Sequence, residues 1–247
     1  MKNKISLFLI ISLISICLFS CSKKYTYHVN DKYRPSNKED FKETSNLNIT
    51  ESFDNIYIDW AYGNVLINIA STTETVITSD KFYYCFENNT YYLREYQDGY
   101  NYKKDTKKDL VINLSMITSL DKLAVFCNDS LNITGIRIND LVIEGNGSVT
   151  LENISFTKGN IAALNDELSL LNITFDELDI KTNNASVLLN TNKKEPNYLV
   201  TFNSKKGSFS SNISYTKVEN QYGFGTCSSK ISFNSSKGSF TLNAKED

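Results

Sequence analysis

Residues 141–151 read Leu-Val-Ile-Glu-Gly-Asn-Gly-Ser-Val-Thr-Leu: an apolar, any, apolar triplet, a polar corner, a small residue before Ser, then apolar, any, apolar again. The arrangement returns downstream. Leu178-Asp179-Ile180 leads to Ala185-Ser186-Val187-Leu188-Leu189, and Val200-Thr201-Phe202 leads to Gly207-Ser208-Phe209. Ile231-Ser232-Phe233 then leads to Gly238-Ser239-Phe240-Thr241-Leu242, and a looser upstream copy runs from Ile56-Tyr57-Ile58 to Gly63-Asn64-Val65-Leu66-Ile67. Alternation with period two marks short strands with one wet face, so each copy is two strands about a corner. One such copy cannot bury its own apolar face, and copies must therefore stack around a shared dry interior. The fold expected is all-β: a single-stranded β-helix or β-solenoid with a hairpin excursion.

Weaker copies fill the intervals. Leu123-Ala124-Val125 with Leu131-Asn132-Ile133 forms one unit, and another begins near Ile161 and holds Leu168-Ser169-Leu170 and Ile173. The interval from Leu141 to Leu178 then fits two turns of about 18 to 19 residues. Gly147, Gly207 and Gly238 suit corners that need positive φ, and the many corner asparagines adopt the same conformation and pair along the array. Asn190 to Asn197, with Pro196, reads as a loop. Ser214 to Asn243 breaks the even spacing, with Gln221-Tyr222-Gly223-Phe224-Gly225 ahead of the final copy, as a terminal cap would.

The amino terminus carries a different message. Met1 to Lys4 is cationic, and Ile5 to Phe19 is an unbroken run of apolar and small residues, the build of a secretory signal peptide over 1–20. It closes on Leu18-Phe19-Ser20-Cys21, which resembles the bacterial lipobox, so Cys21 is the expected lipidation site and first mature residue. Each buried methylene of an acyl chain is worth roughly 0.8 kcal/mol, enough for two or three chains to hold the protein on a membrane. Residues 21–45 are polar and charged without a period and read as a flexible tether. The domain expected over 46–247 is then lipid-anchored in the cell envelope, outside the cytoplasm.

Between Asn46 and Leu114 the chain alternates into strands. Asn88-Asn89 is a hairpin turn joining Phe82-Tyr83-Tyr84-Cys85-Phe86 to Tyr91-Tyr92-Leu93-Arg94-Glu95-Tyr96, Asp98-Gly99 is a second turn, and Lys103-Lys104-Asp105-Thr106-Lys107-Lys108 is a cationic loop. Tyr91, Tyr92, Tyr96, Tyr100 and Tyr102 admit two readings. Their rings form a stacking surface for sugars, or they cover the open end of the array with rings buried and hydroxyls wet.

Composition narrows the function classes. A net charge of −2 excludes a clustered cationic face for nucleic acid. Cys85, Cys127 and Cys227 are three at wide spacing, neither a disulfide framework nor a zinc set, and read as small buried hydrophobes. His28, the only histidine, lies in the tether, where a general base lacks a pocket and a fixed partner. No phosphate loop, dinucleotide fingerprint or calcium repeat occurs, so no cofactor or metal is expected. Carboxylates alone can cleave glycosidic bonds, which makes Asp140, Glu144, Asp176, Glu177 and Asp179 formal candidates for an enzyme on the same scaffold.

The strand, corner, Gly-Ser and strand units at Gly147, Ala185, Gly207 and Gly238, with Tyr222-Gly223-Phe224-Gly225 leading to Lys237-Gly238-Ser239-Phe240, resemble the DUF4097-like β-strand repeat proteins across roughly residues 50 to 243. That bacterial extracytoplasmic family has no established function and is often labelled adhesin-like. The resemblance implies a β-helix with longer excursions and supplies no catalytic residues. The functional expectation is a non-enzymatic envelope protein that binds a polysaccharide or surface protein, with an accessory role beside an envelope sensor as a further alternative.

Overall fold

The computed structural model describes residues 25–26, 35, 41–97, 101–102, 107–116, 118–163, 165–193 and 195–244. The regular elements among them are all strands: β1 (Tyr25–Thr26), β2 (Lys42–Ile49), β3 (Asn55–Trp60), β4 (Val65–Ile69), β5 (Thr75–Glu87), β6 (Thr90–Arg94), β7 (Asn101–Tyr102), β8 (Leu110–Leu114), β9 (Ser119–Cys127), β10 (Leu131–Thr134) and β11 (Arg137–Gly145). Beyond these come β12 (Val149–Glu152), β13 (Ser155–Ala163), β14 (Leu168–Leu171), β15 (Thr174–Thr182), β16 (Val187–Thr191), β17 (Tyr198–Ser204), β18 (Phe209–Ser211), β19 (Thr216–Val218), β20 (Gln221–Gly223), β21 (Ser229–Ser235) and β22 (Phe240–Ala244). Twenty of them join in one mostly parallel sheet, and β1 pairs separately with β7.

Two parallel ladders run the length of this sheet. The first has the order β6, β3, β9, β11, β13, β15, β21, β17. The second has the order β8, β4, β10, β12, β14, β16, β22, β18. Each first-ladder strand is followed in the chain by its second-ladder counterpart, with β7 intervening between β6 and β8, and the two together make a rung. The register steps by 18 residues from Leu123 to Leu141 and from Leu141 to Gly159, then by 19 from Gly159 to Leu178, as the repeats require.

In-register stacking puts like on like inside. Ile143, Ile161, Ile180 and Phe233 occupy one buried row, and Leu151, Leu170, Leu189 and Leu242 another. Phe156, Phe175 and Tyr198 stack nearly parallel, 5.5 Å between successive centroids. Each fully buried aliphatic side chain contributes about 1.5–3 kcal/mol of transfer free energy, so the rows supply most of the driving force. Corner amides pair as the sequence implies: Asn146 donates to Asn128 at 2.8 Å and Asn172 to Asn153 at 3.2 Å. Asn153 and Asn172 have φ of 53° and 55°.

The corner glycines serve another purpose than the one expected. Gly147, Gly207 and Gly238 are not among the positive-φ residues. A Cβ on Gly147 would stand 1.5 Å from the Asp129 carbonyl oxygen, and one on Gly238 would stand 2.0 Å from that of Ala185. Neighbouring backbones touch there, and only hydrogen fits.

The ends differ from the expectation too. Strands begin at Lys42, before Asn46, and β1 lies within the stretch read as a tether. The last rung, β21 and β22, is interior, between the β15–β16 and β17–β18 rungs. Of the segment from Ser214 to Asn243 only the β19–β20 hairpin acts as a cap, by antiparallel pairing of β20 with β17. The first rung, β3 and β4, is likewise enclosed, between β6–β8 and β9–β10, and β5 closes that end by antiparallel pairing with β2, β6 and β8. Cys85 and Cys127 are buried and outside any disulfide, whereas Cys227 is only half-buried in a turn with φ of 56°.

Interleaving makes the carboxyl terminus indispensable. Removal of residues 229–247 strips partners from both β15–β16 and β17–β18, and the truncated chain is expected to lose cooperative urea unfolding and much of its strand circular dichroism. Retention of the full-length midpoint would refute the enclosed position of that rung.

Candidate functional site

The tyrosine surface does not form as a set. Tyr91 and Tyr96 are 2 % and 4 % exposed, Tyr91 on an inward position of β6 and Tyr96 packed against Ala61 just beyond the strand. Tyr91 packs against Phe53 and Phe86, and its hydroxyl donates to the Glu51 carboxylate; burial raises its pKa above the ordinary phenol value. Tyr92 stays half-buried and stacks on Tyr57 at 5.3 Å. Tyr100, Cys21, His28 and the 1–20 leader lie outside the described residues, as does the side chain of Tyr102.

The outer face of the first ladder carries a row of alternating charge. Lys122, Asp140, Lys158, Glu177 and Lys230 are register partners on five successive strands. Lys122 Nζ lies 2.9 Å from Asp140 Oδ2, a bond that raises the lysine pKa. Beside the row is a cleft of about 450 Å³, lined in part by Lys158, Glu177, Asp179, Leu199 and Lys230. Three of the sequence's carboxylate candidates, Asp140, Glu177 and Asp179, therefore share one cleft, while Asp176 lies on another. Asp179 is paired with Lys181 at 3.2 Å. The ion pairs occupy an oxygen of Asp140 and one of Asp179, an unsuitable setting for the proton donor that glycosidic cleavage needs.

A second depression follows the corner where each first-ladder strand begins. Ser119, Arg137, Ser155 and Thr174 are register partners there. Two cavities of about 430 and 360 Å³ share Arg137, Ser155 and Thr174 as lining. The first also has Asn153, Asn172 and Lys193, and the second Asn139, Thr157 and Asp176. Among the described residues no group of three His, Cys, Asp or Glu side chains gathers in a metal-binding cluster.

Sequence reading missed the buried carboxyl of Glu95. The residue follows β6 and is 0 % exposed; its Oε2 accepts the Tyr62 N–H at 2.7 Å. Lys108 Nζ sits 4.4 Å from the Tyr96 ring centroid, and the Lys108 carbonyl accepts the Trp60 indole N–H at 2.7 Å. Loss of water pushes the Glu95 pKa up to about 7, against the opposing pull of the Tyr62 N–H and the Lys108 ammonium. The same burial lowers that of Lys108 and pushes the Cys127 thiol up to about 12. The returning strand is pinned by Lys107 to Asp129 at 3.1 Å and by Asp109 Oδ1, which accepts the Asn64 N–H at 2.9 Å. A lone Glu among tyrosines carries no sequence signal of burial.

No family model and no curated protein matches the chain. Two crystal structures are similar to it. One is titled a "putative cell adhesion protein" from Clostridium sporogenes, with 12% identity and a TM-score of 0.49 over 83% of this chain and 100% of that one. The other is a "putative adhesin" from Bacteroides fragilis, with 14% identity and a TM-score of 0.40 over 83% of this chain and 97% of that one.

Glu95 predicts a pH dependence. Its folded pKa of about 7 lies above the 4.5 of an ordinary glutamate side chain, so between those values the folded chain holds a proton that the unfolded chain has released. The stabilisation is complete below the lower value and is lost as pH rises through the upper one, by roughly 3 kcal/mol at most. Glu95→Gln keeps an acceptor for Tyr62 and is expected to flatten this slope in urea titrations between pH 5 and 7.5. An unchanged slope would remove Glu95 as its source.

Proposed function

We propose that this chain is a lipid-anchored β-solenoid held outside the cytoplasm on Cys21, and that it works by binding an extended partner of the cell envelope, in the manner of an adhesin or envelope-assembly protein. One observation carries the reading. The same outward position recurs on strand after strand in register, so the surface repeats along one axis at the spacing of parallel strands, about 4.8 Å. A rigid repeating surface suits a repeating polymer or an extended protein face, because the ordering cost falls mainly on the ligand. The leader and the lipobox-like Leu18-Phe19-Ser20-Cys21 support the location.

The cleft that gathers Asp140, Glu177 and Asp179 favours one competing reading, a carboxylate-dependent glycan hydrolase. The lysine partners of Asp140 and Asp179 weigh against it.

Cys21→Ala is expected to move the protein from the membrane pellet to the soluble fraction and to abolish labelling by a radioactive fatty acid. Purified full-length chain is expected to sediment with envelope polysaccharide and release no reducing sugar from it. Glycan turnover that disappears in Glu177→Gln would replace the binding reading with the hydrolase.

A further inference from the structure

We propose that the corner groove along Arg137, Ser155, Thr174 and Lys193 is a binding site for an extended acidic saccharide, with Arg137 at one end and Lys193 at the other each taking a carboxylate or phosphate and the hydroxyls between them taking its sugar hydroxyls. This rests on the reading of the chain as a binding protein and names the ligand class.

Continuity is the first ground. The cavity lined by Arg137, Ser155, Thr174 and Lys193 crosses the rungs from β11 to the residues after β16, and the second cavity flanks the same row on the side of Asn139, Thr157 and Asp176. The row of side chains advances by one strand spacing, about 4.8 Å, per rung. That step is comparable with the length one sugar ring adds to an extended chain.

The second ground is that these polar heads are unused. Elsewhere the stack pairs its outward groups with each other: Ser210 with Thr241 at 3.0 Å, Asn203 with Asn234 at 3.1 Å, Asn243 with Asn190 at 3.1 Å. Among the described residues, the Arg137 guanidinium and the Ser155 and Thr174 hydroxyls have no such partner. Arg137 is exposed, and its register neighbours Ser119 and Ser155 are both small, so nothing long lies beside its planar fork. A guanidinium in that setting suits bidentate recognition of carboxylate or phosphate.

Charge distribution favours an acidic ligand. The cavity that runs from Arg137 to Lys193 has no carboxylate in its lining; Asp176 lines only the flanking cavity, where Asn139 donates to Asp121 at 2.8 Å. The acidic substituents belong at Arg137 and Lys193. Asp176 and Thr157 accept from sugar hydroxyls on the flanking side.

The test uses full-length chain in detergent and three probes: a galacturonic acid oligomer, its fully methyl-esterified form, and a phosphomannan oligomer. Calorimetry is expected to show that at least one acidic probe binds, that the esterified oligomer binds at least about tenfold more weakly than the acid if the carboxylate is the one taken, and that added salt weakens the interaction. Arg137→Gln should lose about tenfold or more, and Arg137→Lys should recover only part of that loss, because the fork is absent. Thr174→Val should lose a few-fold. All three should keep wild-type circular dichroism. Binding of neither acidic probe, or equal binding by Arg137→Gln, overturns the site. Sedimentation with envelope polysaccharide by wild type and Arg137→Gln alike overturns the groove and leaves the broader reading standing; sedimentation by neither removes both.

Discussion

In-register parallel stacking is the constraint from which the rest of the molecule follows. A strand between two others has its peptide groups satisfied only by the strands beside it, since water is excluded from both edges. Once the ladder is in register, each side chain lies over the equivalent one of the rung below. Apolar residues then form continuous rows, aromatic rings stack on aromatic rings, and amides bond amides. The demand reaches the main chain itself where Gly147 lies against Asp129 and Gly238 against Ala185, with no room for a Cβ.

A parallel stack leaves two open ends, and unpaired strand edges invite association with other chains. This chain uses two devices against that. Antiparallel strands close the ends, β5 and β2 at one and β20 and β19 at the other. The rungs nearest each chain end in sequence, β3–β4 and β21–β22, are enclosed by rungs on both sides. Enclosure protects the rungs nearest the chain ends from fraying, and it does so through contacts distant in sequence. Such contacts close late, so folding is slow compared with a simple consecutive stack.

Much of this was legible in the sequence because periodicity is local. The spacing of Leu141 and Leu178 gave the length of a rung, Asn88-Asn89 marked the hairpin with φ of 51° and 55°, and the corner asparagines pair as read. Rung order was not legible, since nearly equivalent copies carry no mark of which neighbours which. Nor was the orientation of Tyr91 and Tyr96: an amphipathic ring fits both faces of a strand, and consecutive tyrosines at 83, 84, 91 and 92 offer the same alternation to either side. Glu95 was invisible because its burial depends on residues distant in sequence, Tyr62 and Lys108, meeting it just beyond β6. The Arg137 row was invisible for a similar reason, as Ser119, Ser155 and Thr174 gain meaning only when the register brings them beside it.

The same rule that builds the stack also limits where it can act. A polar row whose members match each other is consumed by its own hydrogen bonds, and Ser208 with Ser239 or Asn203 with Asn234 has little left to offer a ligand. The charged row offsets itself differently, by alternation, so that Asp140 is flanked by Lys122 and Lys158 and Glu177 by Lys158 and Lys230. Alternation penalises any slip that would bring like charges together, which gives that row a structural reason to exist without a partner. A row whose members do not bond one another keeps donors and acceptors to offer. Among the described residues Ser119, Arg137, Ser155 and Thr174 form such a row, and three of its four side chains are small.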